Sequence, residues 1–204
     1  MDKKDFHPDI SMWKLTADDA VALSAIAINA YCDHYRHSWY EGVEWYIEKS
    51  FSVSNLEKEL ADTNAVFYMV FSEDRAVGFI KINIDAAFED FSEKDAMDLE
   101  WMFLTSEASG KGIGSYLLQR ILGFAKQRNK KLVWLKMMDS SSSAINFYKR
   151  NGFEICGTTR PNFVQMKEEV RDQMKQEVRE MIIMKKALLY GQISQVRQIL
   201  RASS

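Results

Sequence analysis

The stretch that decides the fold is Glu107-Ala108-Ser109-Gly110-Lys111-Gly112-Ile113-Gly114-Ser115-Tyr116-Leu117-Leu118, "EASGKGIGSYLL". Glycines stand at alternate positions with a lysine between two of them. A strand-like run, "DLEWMFL" (Asp98–Leu104), comes before it. Leu117, Leu118, Ile121, Leu122 and Ala125 follow at helical spacing. Strand, glycine loop and helix make an anion cradle, because glycines let backbone N–H groups approach a phosphate and the helix adds the positive end of its dipole.

Two common phosphate loops do not fit. The Walker loop needs a glycine, four residues, then Gly-Lys-Ser/Thr. Here Gly110-Lys111 is followed by Gly112, and Thr105 stands where the first glycine is required. The dinucleotide fingerprint Gly-x-Gly-x-x-Gly fails too, because the third glycine, Gly114, arrives one residue early.

The rest of the chain sets the frame. It has 204 residues, 47% hydrophobic, with two prolines and a formal net charge of −2. That suits one globular domain over 1–204, with a core at about 10–188. Without a clustered basic block, nucleic acid is not the expected partner. No apolar run reaches the roughly 18 residues that span a bilayer, and "MDKKDFHPDI" lacks a signal-peptide core. Cys32 and Cys156 suggest neither a disulfide framework nor a zinc site. The expectation is a cytoplasmic protein without membrane partners.

"ISMWKL" (Ile10–Leu15) predicts a strand. Thr16 caps the helix that follows, with Val21, Leu23, Ile26 and Ile28 on its apolar faces. "SNLE" (Ser54–Glu57) is a capping box for a helix reaching about Ala61. "AVFYMVFS" and "AVGFIKINI" flank Glu73–Arg75 as a hairpin. "KLVWLKMM", "FEICGT" and "MIIMKKAL" predict strands, and "SSAINFYKRNG" a short helix that Gly152 terminates. Alternating strands and helices after the loop favour parallel pairing there. "VQMKEEVRDQMKQEVRE" (Val164–Glu180) carries Met166, Val170, Met174 and Val178 four apart, an amphipathic helical insertion. A last helix is expected over about 190–202. These two segments offer a homodimer contact or pack on their own domain.

A second motif decides the loop's identity. Ser109-Gly110-Lys111-Gly112-Ile113-Gly114 resembles motif A of the GNAT acyltransferases, Gln/Arg-x-x-Gly-x-Gly/Ala. "SSSAINFYKRNGFEICG" (Ser141–Gly157) resembles their motif B, with Ala144, Phe147, Tyr148, Gly152 and Phe153 in place. Ser109 and Ser141 depart from the family's usual Gln or Arg and Asn. Within the superfamily the chain looks most like bacterial polyamine (spermidine/spermine) acetyltransferases, through "FSVSNLEKEL", "VGFIKINID", "LEWMFL" and "KQRNKKLVWL".

The resemblance implies a mixed, mostly antiparallel α/β sheet flanked by helices, its central parallel strands splayed between Asp98–Leu104 and Lys131–Met138. It implies acetyl-CoA as co-substrate, no metal, and acetylation of a primary amine. A small polyamine-like acceptor ranks first and a protein N-terminus or lysine second. A catalytically weak CoA-binding sensor or interaction module is the rival. Tyr148 would be the general acid. Glu100 would be a base through water, or would attract a cationic substrate. Met102, Phe103 and Leu104 would offer backbone groups to the pantetheine. Ser109, Gly110, Lys111, Gly112, Ile113, Gly114, Ser115, Ser141, Ala144, Phe147 and Lys149 complete the CoA site. Tyr31, Tyr35, Trp39, Tyr40 and Asp85 would form the acceptor site, since aromatics and carboxylates together suit an ammonium. His34 and His37, three apart, lack a third ligand for a metal.

Overall fold

The computed structural model describes residues 10–36, 43–159 and 180–188. Within them a seven-stranded sheet runs in the order β1-β2-β3-β4-β5-β7-β6. The strands are β1 (Ile10–Lys14), β2 (Ala65–Ser72), β3 (Arg75–Asn83), β4 (Ala96–Leu104), β5 (Leu132–Met138), β6 (Glu154–Thr159) and β7 (Met181–Ala187). The β4–β5 pair is parallel and the other neighbours antiparallel. The mixed, mostly antiparallel sheet with one parallel pair is the fold expected.

Helices cover both faces. α1 (Ala20–Tyr35), α2 (Val43–Phe51) and α3 (Val53–Ala61) lie on one, and α4 (Ile113–Gln127) and α5 (Ser142–Arg150) on the other. Side chains alternate along a strand. Phe67, Met69 and Phe79 therefore pack toward α1–α3, while Val70, Ile80 and Ile82 pack toward α4 and α5. Apolar residues on both faces explain why the central strands read as nearly continuous hydrophobic runs.

Local chemistry sets the turns and caps. Glu73 and Asp74 carry φ of 48° and 62°, the left-handed pair that joins two twisted strands in a tight hairpin. Arg75 already belongs to β3. The Asp19 carboxylate accepts from the Thr16 N–H at 2.8 Å and hydroxyl at 3.0 Å, closing the turn before α1.

Two expectations change, and two features are additional. α3 starts at Val53 with Ser52 as its cap, so Ser54–Glu57 lies inside the helix. The Ser52 carbonyl accepts from Leu56 at 3.0 Å, which leaves Ser54 no terminal N–H group to satisfy. Val21 is 68% exposed, because Ala20, Leu23, Ala27 and Ala30 make the buried stripe and Val21 falls opposite. α2 was not expected, although Val43, Ile47 and Phe51 sit four apart within it. Finally, β6 does not pair with β5: β7 enters between them, antiparallel to both. The helical insertion expected over 164–180, apart from its last residue Glu180, the C-terminal helix, and His37, Trp39 and Tyr40 lie outside the described residues.

The parallel pair is short. Ala96, Met97 and Asp98 face Leu132, Val133 and Trp134, and beyond them no pairing continues. On its other side β4 bulges. Lys81 faces Trp101 and Asn83 faces Asp98, so Leu99 and Glu100 together oppose Ile82. A bulge sharpens local twist and re-aims side chains; this one sits where the two strands part. Further along, β3 lies tight against β4: a Cβ on Gly78 would stand 2.2 Å from the Phe103 carbonyl oxygen. Gly78→Ala should cost about 1–3 kcal/mol of stability, because backbone must shift. Thermal unfolding should show a lowered midpoint and CoA titration a weakened affinity, since β4 moves with the clash.

Candidate active site

The fork between β4 and β5 opens into a cleft of about 1320 Å³, bounded by α1, the glycine loop and α5. Its β4 wall offers backbone that β5 does not pair. The Thr105 N–H donates to the Val77 carbonyl at 2.8 Å. In an antiparallel ladder alternate residues point their peptide groups to the partner, so Thr105, Phe103 and Trp101 turn toward β3. Met102 and Leu104 turn theirs into the fork. The Leu104 carbonyl already accepts from His34 Nε2 at 2.7 Å, which places the ring proton on Nε2.

The loop is built for close approach. Gly110 and Gly112 hold φ of 76° and 83°, the left-handed region glycine enters without strain. Nothing stands within 4 Å of a Cβ on Gly110. Gly112 caps α4, whose first N–H groups lack intrahelical partners. Ser109, Gly110, Gly112, Gly114 and Ser115 line the cleft. An anion fits this cradle of bare backbone at a helix N-terminus. Ile113 is buried in the core, with 4% exposure. Lys111 is exposed and does not line the cleft. The Ser109 hydroxyl donates to the Thr105 carbonyl at 3.1 Å, so it serves its own loop.

Ser141, Ala144, Phe147 and Tyr148 line the opposite wall. Lys149 does not, but Arg150, overlooked in the sequence, does. Tyr148 is 7% exposed, its ring 5.0 Å from Phe147 and 5.4 Å from Phe153. Burial pushes its phenol well above the ordinary tyrosine value, and the nearby Tyr35 phenol adds to this. The hydroxyl thus stays protonated at neutral pH.

The cleft floor carries two carboxylates, Asp98 and Glu100. Glu100 pairs with Lys81 Nζ at 2.7 Å and accepts from the Asn83 amide at 2.7 Å. Lys81 is buried, 2.5 Å from Glu59 and 4.6 Å from the centre of the Trp101 ring. Asp98 accepts from the same Asn83 amide at 3.2 Å. Burial and the Glu100 charge raise Asp98 from 3.8 to about 7. Sequence reasoning singled out Glu100 and missed Asp98, Asn83 and Lys81; only the acid-x-acid spacing of "DLE" hinted at Asp98.

On the α1 side Tyr31 is buried and stacks on Tyr35 at 5.1 Å and Tyr46 at 4.6 Å, with Phe103 edge-on. Burial pushes Tyr46 up to about 12. Tyr31, Tyr35 and Tyr46 all reach the cleft, and the Tyr35 hydroxyl lies 3.2 Å from the Ser141 hydroxyl. Asp33 accepts from the Ser106 N–H at 2.8 Å, tying α1 to the loop. Asp85 is not among the residues lining the cleft. Its carboxylate binds the buried Lys130 at 2.6 Å and also Lys94, and these two lysines hold its pKa below the ordinary value. The two lysines satisfy its charge.

The acetyltransferase (GNAT) family profile matches residues 27–153. An uncharacterized N-acetyltransferase of Lactobacillus delbrueckii subsp. lactis is 22% identical over 112 residues, 55% of this chain and 65% of that protein. The chain spans less than two thirds of the length of the curated relatives it matches. The N-acetyltransferase PaiA of Thermoplasma acidophilum, solved with coenzyme A, superposes with a TM-score of 0.67 at 21% identity, covering 88% of this chain and 99% of that one. A spermidine N-acetyltransferase variant of Vibrio cholerae gives 0.62 at 16% identity, covering 89% and 95%. These likenesses show a shared fold.

Two outcomes follow from the charges. Asp98's raised pKa means its contribution to stability is full below about pH 4 and is lost as pH rises through about 7. Asp98→Asn should flatten that part of the stability–pH curve in denaturant titrations. Asp85→Asn should cost about 2 kcal/mol or more by leaving Lys130 short of its counter-charge. Its acceptor KM should stay unchanged; a raised KM with an unchanged melting temperature would restore Asp85 to the acceptor site.

Proposed function

The chain belongs to the GNAT acetyltransferase family, and on that premise we propose that it transfers an acetyl group from acetyl-CoA to a primary amine, a small polyamine-like cation ranking first. One observation carries the reading. A single cleft holds an anion cradle, strand backbone that β5 does not pair, a protonated phenol and a pair of carboxylates. Acetyl-CoA supplies the activated thioester when bound. The N–H groups of the Gly110–Ser115 turn would hold its pyrophosphate, with Lys111, Lys149 and Arg150 near enough in sequence to meet other phosphates. Met102 and Leu104 would pair with its pantetheine amides, and Ala144 and Phe147 would pack on them. A cleft-facing N–H of β4 would stabilise developing oxyanion charge.

Tyr148, which lines the cleft, holds its proton ready for the departing sulfur. The Asp98–Glu100 floor takes up the amine proton. Tyr31, Tyr35 and Tyr46 offer ring faces that suit an ammonium, and a spermidine enzyme is among the fold's neighbours. A protein N-terminus or lysine is the second acceptor. A CoA-binding sensor with weak catalysis draws support from Ser109 and Ser141, whose hydroxyls are engaged with Thr105 and Tyr35. We place the enzyme in the cytoplasm; among the described residues no helix is long and apolar enough to cross a membrane.

A transfer assay over spermidine, spermine, amino acids, aminoglycosides and peptides tests the reading. Activity is expected first with polyamines; activity with peptides alone would reverse the acceptor order, and none with any amine would leave the sensor. Tyr148→Phe should lower kcat by about 100-fold or more with CoA affinity nearly intact by calorimetry.

A further inference from the structure

Three successive residues at the end of α1 fasten to three different parts of the cleft. Asp33 accepts from the Ser106 N–H, His34 donates to the Leu104 carbonyl, and the Tyr35 hydroxyl meets the Ser141 hydroxyl at 3.2 Å. The first two hold the helix end in place. The third joins side chains from opposite walls, α1 and the cap of α5. The Tyr35 ring is fixed from its other sides, stacked on Tyr31 at 5.1 Å with Phe103 edge-on at 5.8 Å. Its hydroxyl therefore has little freedom.

Tyr148 stands on the same face of α5 as Ser141, because the step from 141 to 148 is close to two full turns. Long helical side chains lean back toward the helix N-terminus, which brings the Tyr148 phenol toward Ser141 and Tyr35. The electrostatics agree: after burial, the Tyr35 phenol is what raises Tyr148. Burial raises Tyr35 as well, with the Ser141 hydroxyl opposing it, so Tyr35 keeps its proton at neutral pH. Ser142 and Ser143, next along the chain, are exposed. Hydroxyls thus run from solvent through Ser141 and Tyr35 toward the buried Tyr148.

We infer that Tyr35 returns a proton to Tyr148 after each turnover, drawing on solvent through the Ser141 hydroxyl. This rests on the acetyl-transfer reading above. Once Tyr148 has given its proton to the departing sulfur, its phenolate needs another before the next turnover. Tyr148 is 7% exposed and packed against Phe147 and Phe153, so bulk water reaches it poorly. In the step, the Tyr35 O–H bond breaks and an O–H bond forms on the Tyr148 oxygen, whose lone pair accepts the proton. Tyr35 has Ser141 as its own partner, so one bridging water carries the proton across. Ser141 passes its proton to Tyr35 while taking one from solvent, so no alkoxide forms. The net change is one proton moved from solvent to Tyr148. A hydroxyl both donates and accepts, which is what a relay requires. Tyr35 acts here through Tyr148, while its ring face remains available to the acceptor.

The test uses the full chain with acetyl-CoA and the amine of the panel above that is turned over fastest. Rapid-quench measurement separates the first acetyl transfer from the steady state. Tyr35→Phe keeps the stacked ring and loses the hydroxyl. Its first turnover should match wild type, because Tyr148 starts protonated. Its kcat should fall about 10-fold, short of the roughly 100-fold that loss of the acid itself brings, so product appears as a single-turnover burst. Imidazole added at fixed pH should raise kcat of the variant and not of wild type, a rescue that a merely structural role does not give. Ser141→Ala should show the same burst and rescue, and Ser141→Thr should behave as wild type. The double variant should be no slower than Tyr35→Phe alone, since both lie on one path. Melting temperature and CoA affinity report folding, and the Ser141 variants carry the same test if Tyr35→Phe does not fold. A first turnover slowed as much as kcat, an unchanged kcat, or a loss that imidazole does not restore overturns the relay. Tyr148→Phe as active as wild type overturns the acid and the relay together. Absent transfer by wild type to any amine overturns the acetyl-transfer reading itself.

Discussion

The structure turns on the brevity of one pairing. Three residues of β4 meet three of β5 in parallel register, and then the strands separate. Every other ladder in the sheet is longer. The fork leaves peptide groups of Met102 and Leu104 without a strand partner on the β5 side, where His34 meets the Leu104 carbonyl. It also sets the glycine loop at the far end of β4 beside α5. A ladder that continued to Leu104 would close the cleft and leave the loop a surface turn.

Holding a fork open places a burden on its flanks. The bulge opposite Ile82 twists β4 away, and Gly78 lets β3 follow closely enough to keep its hydrogen bonds. α1 fastens the other end through Asp33 to Ser106 and His34 to Leu104. Two buried lysines hold the acids nearby. Lys130 binds Asp85 and the carbonyls of Glu93 and Lys94, bracing the β3–β4 connection. Lys81 binds Glu59 and Glu100, joining α3 to the cleft floor. Removing either partner from a pair of this kind strands a charge in low dielectric. These acids are thus part of the scaffold as well as neighbours of the site.

Much of this was legible beforehand. The glycine loop, the strand before it and the helix after it stood out because their periodicities change at the glycines. Motif spacing puts Tyr148 on the face of α5 shared with Ala144, and both line the cleft. Asp98 could not, because its character comes from Asn83 and Glu100, and the bulge that unites them leaves no mark in the sequence. Asp85 is a parallel case: an acid at a strand end looks free until a lysine 45 residues away is found on it. α2 escaped notice because its apolar stripe is interleaved with charges over only nine residues.

What the sequence determined by itself is local: which segments form strands and helices, and where glycine must turn the chain. Those properties depend on residues within a turn or two of one another. The tertiary structure alone decided the rest. It inserted β7 between β5 and β6, ended the parallel ladder at Asp98, and gave Asp98 and Glu100 different surroundings. The physical reason is that pairing and electrostatic shifts depend on distance in space, and the groups that decide them here are supplied by distant parts of the chain.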